Sequence, residues 1–369
     1  MIFRNNTPKG WQPRFCPNRN CKYHNQLKGT WRYKLFGSYH RKSDNQRIQR
    51  YCCMSCKRTF STQTFSTSYW QKKPGLEAKI FILVVNGMCN RQIARTLEID
   101  PATVNNKIYR LGRHCLLFLW KMLKETELPR EIVIDGFESF ELSQYYPFHH
   151  NVAVEKDTDF IIYFNNSQLR RKGRMTDSQK KRRLELEKMF GKPNPKAIEY
   201  SIVELLSVVI DNQKTVSIYT DDHKQYRKPI RHYGDKVSHS VTPGRQHRDK
   251  HNSLWSINLF DRFFRHSSAN HTRETLAWSK RRQASLDRLA IFAVWRNYML
   301  GRRQKDRWSP TPAMTRGMLP HKLKIEDILE SRIFLEKTEL PKSWLRYYWR
   351  DSITRALSKN RYHALKYAV

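Results

Sequence analysis

The chain has 369 residues, with 70 Lys plus Arg against 33 Asp plus Glu and a formal net charge of +37. Hydrophobic residues make up 39% of it, which argues against wholesale disorder and leaves material for two or three domains. It has no uncharged apolar run of about 18 residues, and Met1 to Arg14 carry no apolar segment of signal-peptide length. The expectation is a cytoplasmic protein. A cationic surplus this large creates a field whose natural sink is a polyphosphate, so nucleic acid is the expected partner.

Five of the seven cysteines lie within the first 56 residues. Cys16-Pro-Asn-Arg-Asn-Cys21 forms one close pair and Cys53-Met-Ser-Cys56 another. An odd cysteine count without an export signal disfavours a disulfide framework. Two close pairs on tight turns, separated by a hairpin-length insert from Trp31 to Tyr51, suit a tetrahedral zinc site built from Cys16, Cys21, Cys53 and Cys56. About 60 residues make little core, so structural Zn2+ would supply folding energy there. Cys52 competes with Cys53 for the ligand position, and the two-residue spacing to Cys56 favours Cys53; His24 is a weaker substitute.

Helical periodicity follows. Leu76, Ile80, Leu83 and Val84 mark an amphipathic helix that Gly87 ends. Asn90 can cap a short second helix carrying Ile93, Ala94 and Leu97. Asp100 and Pro101 are start signals for a third, with Val104, Ile108 and Leu111 as its buried stripe. This pattern predicts a helix-turn-helix whose outward residues Thr103, Asn105, Asn106, Lys107 and Arg110 contact DNA.

Beyond Pro129 the pattern changes to strands: Glu131 to Phe140, Asn151 to Val154, Phe160 to Phe164 and Val216 to Tyr219. Between them, Gln168 to Lys188 reads as a basic helical insertion whose Arg170, Arg171, Lys172, Arg182 and Arg183 would track a DNA backbone. Ile198 to Ile210 is an apolar helix. Two apolar runs stop at Asp135 and Asp221, which places carboxylates at a sheet rim. Oxygen ligands of this kind suit Mg2+ or Mn2+ in two-metal phosphodiester chemistry. A third acid would come from the helix around Leu254, Ile257, Phe260 and Phe264, where Asp261 lies beside the apolar stripe; Glu274 and then Asp249 are its rivals. The Pro-containing stretch Trp308 to Ala313 predicts a linker before a helical segment near Ile325 to Glu336.

Taken together, Phe15 to Cys21, Arg50 to Ser61, Ile134 to Glu141, Thr220-Asp-Asp222, Asn258-Leu-Phe-Asp261, Arg273 to Lys280 and Trp295-Arg-Asn297 resemble bacterial insertion-sequence transposases of the DDE type. The resemblance runs from Cys16 to about Tyr298. It implies a multidomain α/β chain: a zinc ribbon at 1–65, a helix-turn-helix at 66–128, an RNase H-like mixed sheet flanked by helices at 129–300 with the basic insertion at about 168–196, and a tail at 301–369. It implies Asp135, Asp221 and Asp261 as the magnesium-binding catalytic triad. The family usually has Glu at the third position, so Asp261 is one methylene shorter, and Glu274 stands as the alternative. It further implies binding of double-stranded terminal repeats and target DNA, a homo-oligomer, and a nucleoid-associated bacterial location. Two other readings compete with it. One is a non-catalytic DNA-binding regulator derived from a transposase; the other is an RNA-binding protein.

Overall fold

A computed structural model describes residues 10–25, 31–210, 214–272 and 274–357. Three antiparallel strands, β1 (Tyr33–His40), β2 (Arg47–Cys53) and β3 (Thr59–Ser61), form a small sheet in the order β1-β2-β3. Three helices follow: α1 (Glu77–Val85), α2 (Asn90–Thr96) and α3 (Pro101–Lys124). Asp100 caps α3 by accepting from the Ala102 amide at 2.7 Å, and Pro101 occupies the first turn, where its missing N–H costs nothing. Asn90 does not cap α2. Cys89 holds the cap position, and Asn90 turns its amide to Asn105 and to Arg288.

The second sheet has five strands: β4 (Glu131–Phe140), β5 (Pro147–Glu155), β6 (Ile161–Gln168), β7 (Val216–Asp221) and β8 (Val237–Thr242). Their order is β6-β5-β4-β7-β8. The β4/β5 and β5/β6 pairs are antiparallel, whereas β4/β7 and β7/β8 are parallel. The parallel pairs need crossovers, and α4 (Asp177–Phe190), α5 (Ala197–Val209) and α6 (Lys224–Arg231) lie within those connections. β4 is central, and its Ile132, Val133 and Ile134 are buried on both faces, which explains the unbroken apolar run. The mixed sheet with flanking helices matches the predicted class. β8 was not foreseen: Val237-Ser-His-Ser-Val-Thr242 is largely exposed and only weakly apolar.

α7 (Trp255–Ser267) packs on β4 and β5, and α8 (Arg282–Tyr298) packs along α3. At Gly112 of α3 an added Cβ would stand 2.8 Å from the Asp287 backbone, so glycine sets how closely the two helices approach. The remaining helices are short: α9 (Pro312–Thr315), α10 (Ile325–Ile328) and α11 (Lys342–Tyr348).

The stretch after Gly301 corrects the expectation of a linker. Ser309, Thr311 and Ala313 are buried, and Arg302 donates its backbone N–H to Pro310. Trp344 is fully buried, stacks on Tyr163 at 4.9 Å and donates its indole N–H to the Phe164 carbonyl at 2.8 Å. The helices α1 to α3, the five-stranded sheet and α11 therefore share one apolar core. The predicted helix from Ile325 to Glu336 is broken into α10 and a single turn at Leu335–Lys337, and Phe334 between them sits in the small-sheet cluster beside Phe15 and Phe65. Trp344→Ala should cost about 3–5 kcal/mol of stability, read as a lower urea midpoint at unchanged slope. A loss below 1 kcal/mol would show the tail to be peripheral.

Candidate active site and metal centre

The β4/β7 seam builds the site. Val133 pairs with Tyr219 and Ile134 with Thr220, so Asp135 and Asp221 follow side by side where the parallel ladder ends. In parallel register, paired residues point to the same face, which puts both carboxylates on the face that α7 covers. Ile257, Phe260 and Phe264 seat α7 in the core, and Asp261 lies on the same helix within electrostatic reach of Asp135. All three acids are half-buried.

Their titration records this crowding. Burial, then the neighbouring Asp221, lifts Asp135 to about 7, while the Gly136 amide and Arg248 pull the other way. Burial, then Asp135, lifts Asp261 to about 8 against Arg265 and Arg248. Asp135 accepts from the Gly136 amide at 2.6 Å, and Asp221 accepts from the His223 amide at 3.0 Å, which fixes two of the three carboxylates. Gly136 has a second role. A Cβ there would lie 1.5 Å from the His149 ring, so only glycine lets that imidazole cross strand β4.

Three residues that the sequence reading did not single out belong to the site, and a fourth, Arg265, is one the sequence already sets near Asp261. Arg248 acts on both Asp135 and Asp261 from the loop between β8 and α7. Arg265 stacks on Phe137 at 4.2 Å and faces Asp261. Tyr226 of α6 is buried, and burial followed by the charges of Asp135, Asp221 and Asp261 raises its phenol, which keeps the hydroxyl protonated. His149 feels Asp221 and Glu138. Nothing in the local sequence of Arg248, Tyr226 and His149 marks them, because each reaches the site through the fold; Arg265 lies one helical turn after Asp261 on α7. Of the two rival acids, Glu274 is exposed on the loop after α7, and Asp249 is exposed and held by the His251 amide at 2.9 Å.

The cysteine centre follows the predicted ligand set. Cys16, Cys21, Cys53 and Cys56 bring their sulfurs within 4.8 Å of one another, the only such group of three or more potential ligands among the described residues. Tetrahedral zinc with Zn–S bonds of about 2.3 Å requires sulfurs about 3.8 Å apart; Cys16–Cys56 is 3.7 Å and Cys21–Cys53 is 3.9 Å. These four thiols fit a zinc ion. Burial opposes ionisation of Cys53, but the Trp31 indole N–H at 3.3 Å and the Cys56 and Ser55 amides outweigh it and bring the thiol down to about 6. Cys52 points elsewhere, to the Cys53 and Lys57 carbonyls, and His24 bonds the Cys16 carbonyl at 2.9 Å.

The basic residues need correction. Lys107 does not face outward: its ammonium is buried against Glu77 at 2.6 Å and also donates to Gln71 and the Lys73 carbonyl. A partner acid on α1 and two further acceptors hold it there, so it is unavailable to phosphate. Arg110 folds back onto the Tyr69 carbonyl, and Asn105 bonds Tyr109 at 2.6 Å. On α3, Asn106 is exposed and Thr103 half-exposed. In the insertion, only Asp177–Phe190 is helical. Arg170 grips Glu187 at 2.7 and 2.9 Å, Arg171 stacks on Tyr145 at 5.0 Å, and Arg183 bonds the Arg171 carbonyl. Arg170 and Arg183 thus brace the insertion internally, and Arg171 ties it to the loop between β4 and β5. Lys172 and Arg182 are exposed, Arg182 with an exposed ion pair to Glu185.

No protein-family model matches the chain. No curated protein matches it either. Among solved structures, one similar chain comes from the simian T-cell lymphotropic virus intasome in complex with PP2A regulatory subunit B56 gamma, at 14% identity over 53% of this chain and 58% of that chain, TM-score 0.22. Another is the catalytic domain of Mos1 mariner transposase, at 12% identity over 50% of this chain and 88% of that chain, TM-score 0.20. The chain thus spans little more than half the intasome chain's length. Both scores are low, and the chemistry of the site follows from its own residues. No helix among the described residues is long and apolar enough to cross a membrane.

Two outcomes test these sites. Cys53→Ala should lose zinc measured by metal analysis, whereas Cys52→Ala should keep it; the reverse would exchange the two ligands. For the acids, folded values above the ordinary carboxylate value of 3.8 mean that the native chain binds those protons more tightly than the unfolded chain. Their stabilising contribution is full below about pH 4 and is lost as pH rises through about 7 and 8. Between those limits the melting temperature of Asp261→Asn should fall less steeply than that of the parent, and Mn2+ should raise the parent more at pH 8 than at pH 5. Parallel pH profiles would refute the crowding.

Proposed function

We propose that this chain is a DNA transposase of the insertion-sequence DDE type, cutting and joining phosphodiesters with Asp135, Asp221 and Asp261. The observation that carries the proposal is the convergence of these three acids on one face of a mixed sheet. Strand order supports an RNase H-like core, with three antiparallel strands continued by two parallel ones.

Asp135, Asp221 and Asp261 would hold Mg2+ or Mn2+, and oxygen donors suit such hard cations. When bound there, such cations would supply charge neutralisation at a scissile phosphate and a lowered pKa for an attacking hydroxyl. The chain's own residues do the rest. The Asp135 and Asp221 carboxylates are oriented by backbone amides and by the strand register. Arg248, from its loop, is placed to bind the phosphate that enters between Asp135 and Asp261. Tyr226 keeps its proton and offers a hydrogen bond at the floor of the site. Asp261 would serve in place of the family's Glu, a reading that the packing of α7 on β4 and β5 supports.

The helix-turn-helix and the zinc-bearing small sheet would hold double-stranded terminal repeats, with Thr103 and Asn106 on the reading face and Lys172 and Arg182 on the backbone. Assembly of two or more copies would pair the ends. With element-end DNA and Mg2+, the parent should cleave and transfer strands, and Asp135→Ala, Asp221→Ala and Asp261→Ala should each lower both steps at least about a hundredfold while leaving DNA binding intact. Full activity in Asp261→Ala with loss in Glu274→Ala would move the third role to Glu274. Full activity in Asp135→Ala would overturn the catalytic assignment, whereas a parent that binds the DNA without cleaving or transferring it would leave a DNA-binding regulator.

A further inference from the structure

The small sheet carries an exposed surface that folding does not explain. β1 leaves Leu35, Phe36 and Tyr39 exposed along an edge strand. Soluble edges are usually blunted by charge rather than lined with large apolar side chains. Nearby, Trp70 is 59% exposed and sits at φ 57°, in the left-handed region where a bulky side chain is an outlier. Trp70, Tyr39 and Tyr69 line one groove of about 350 Å³ together with Arg41 and Arg50. A second groove of about 410 Å³ shares the wall of Thr59, Phe60, Thr64 and Tyr69 and adds Arg19, Arg58 and Arg332. Between positions 31 and 73 there are ten Lys or Arg and one acid, Asp44.

We propose that these adjoining grooves bind an unpaired stretch of DNA, with one base stacked on Trp70 and the backbone tracked by Arg50 and Arg58. Aromatic faces beside a run of arginines are what single strands need, because every unpaired base offers a π-face and every nucleotide a phosphate. Duplex DNA hides its base faces, so it has no use for the concave aromatic wall; its reader is the convex end of α3. Arg50 already lies over Phe36 at 5.0 Å, which holds the guanidinium at the groove rim. The site would take the frayed or overhanging end that strand cutting produces. The proposal deepens the transposase reading and rests on it for the choice of DNA.

The test uses the full, zinc-loaded chain and an oligo(dT) carrying one 2-aminopurine, with a blunt duplex of equal length as reference. The parent should quench 2-aminopurine and bind the single strand. Trp70→Asn, which tolerates the left-handed backbone, should lose the quenching and about five- to a hundredfold in single-strand affinity, with duplex affinity unchanged. Trp70→Phe should restore most of both. Arg50→Gln should lower the salt slope of single-strand binding by about 0.7. Unchanged quenching in Trp70→Asn overturns the site, as does an equal loss on duplex in a variant with parental circular dichroism. Tighter binding of oligo(U) than oligo(dT) at matched salt overturns the choice of DNA. Quenching that persists in a chain unable to transfer strands would sink the enzymatic reading and leave this site standing. Strand transfer without quenching would do the opposite.

Discussion

The parallel pairing of Ile134 with Thr220 sets two carboxylates side by side at the end of a buried seam. Like charges so held, with a third on α7, cannot all ionise without compensation. Burial first and the neighbouring like charge second raise Asp135 and Asp261. Much of the surrounding architecture follows from it. β4 is buried on both faces, α7 packs on β4 and β5, and Arg248 and Arg265 supply nearby positive charge. A divalent cation would complete the compensation, which is why a site costly to the bare fold is chemically useful.

The rest of the chain supports that seam from a distance. α3 runs from its contacts with α1 and α2 into the common core, where its second half is buried against α8. The C-terminal segment then closes the structure twice. Trp344 and Tyr348 enter the main core, and Phe334 enters the aromatic cluster beside the cysteine centre. Arg332 ties the same segment to the small sheet, its backbone amide donating to the Phe65 carbonyl at 2.8 Å and its guanidinium to the Thr64 carbonyl at 3.1 Å. The small sheet is therefore braced by the chain's end as well as by thiols fit for zinc. Movement of the small sheet relative to the acids would have to strain these contacts.

A net charge of +37 does not translate into 37 free cations. Lys107, Arg170 and Arg183 have acid partners, Arg171 is stacked, and the buried Arg350 bonds Asp287 at 3.0 Å. A phosphate would have to displace those partners, and for Lys107 it would also have to replace two further acceptors. Surface cations such as Lys172 face no such competition. Counting basic residues thus points to a polyphosphate partner but does not say which of the cations are available to it.

What the sequence determined by itself was local chemistry with strict spacing. The four zinc-type cysteines, the Asp100-Pro101 helix start, the apolar run of β4 and its terminal Asp were all legible, because each depends on neighbours a few residues away. The three candidate acids were legible as positions, but their convergence was not. Tertiary structure alone placed Asp261 beside Asp135, brought in Tyr226 and Arg248, turned Lys107 and Arg171 inward, and made the C-terminal segment part of the core. Those outcomes depend on which faces meet across β4, α7 and α3, and on whether a charge finds a partner on another element. Local periodicity carries no information about either.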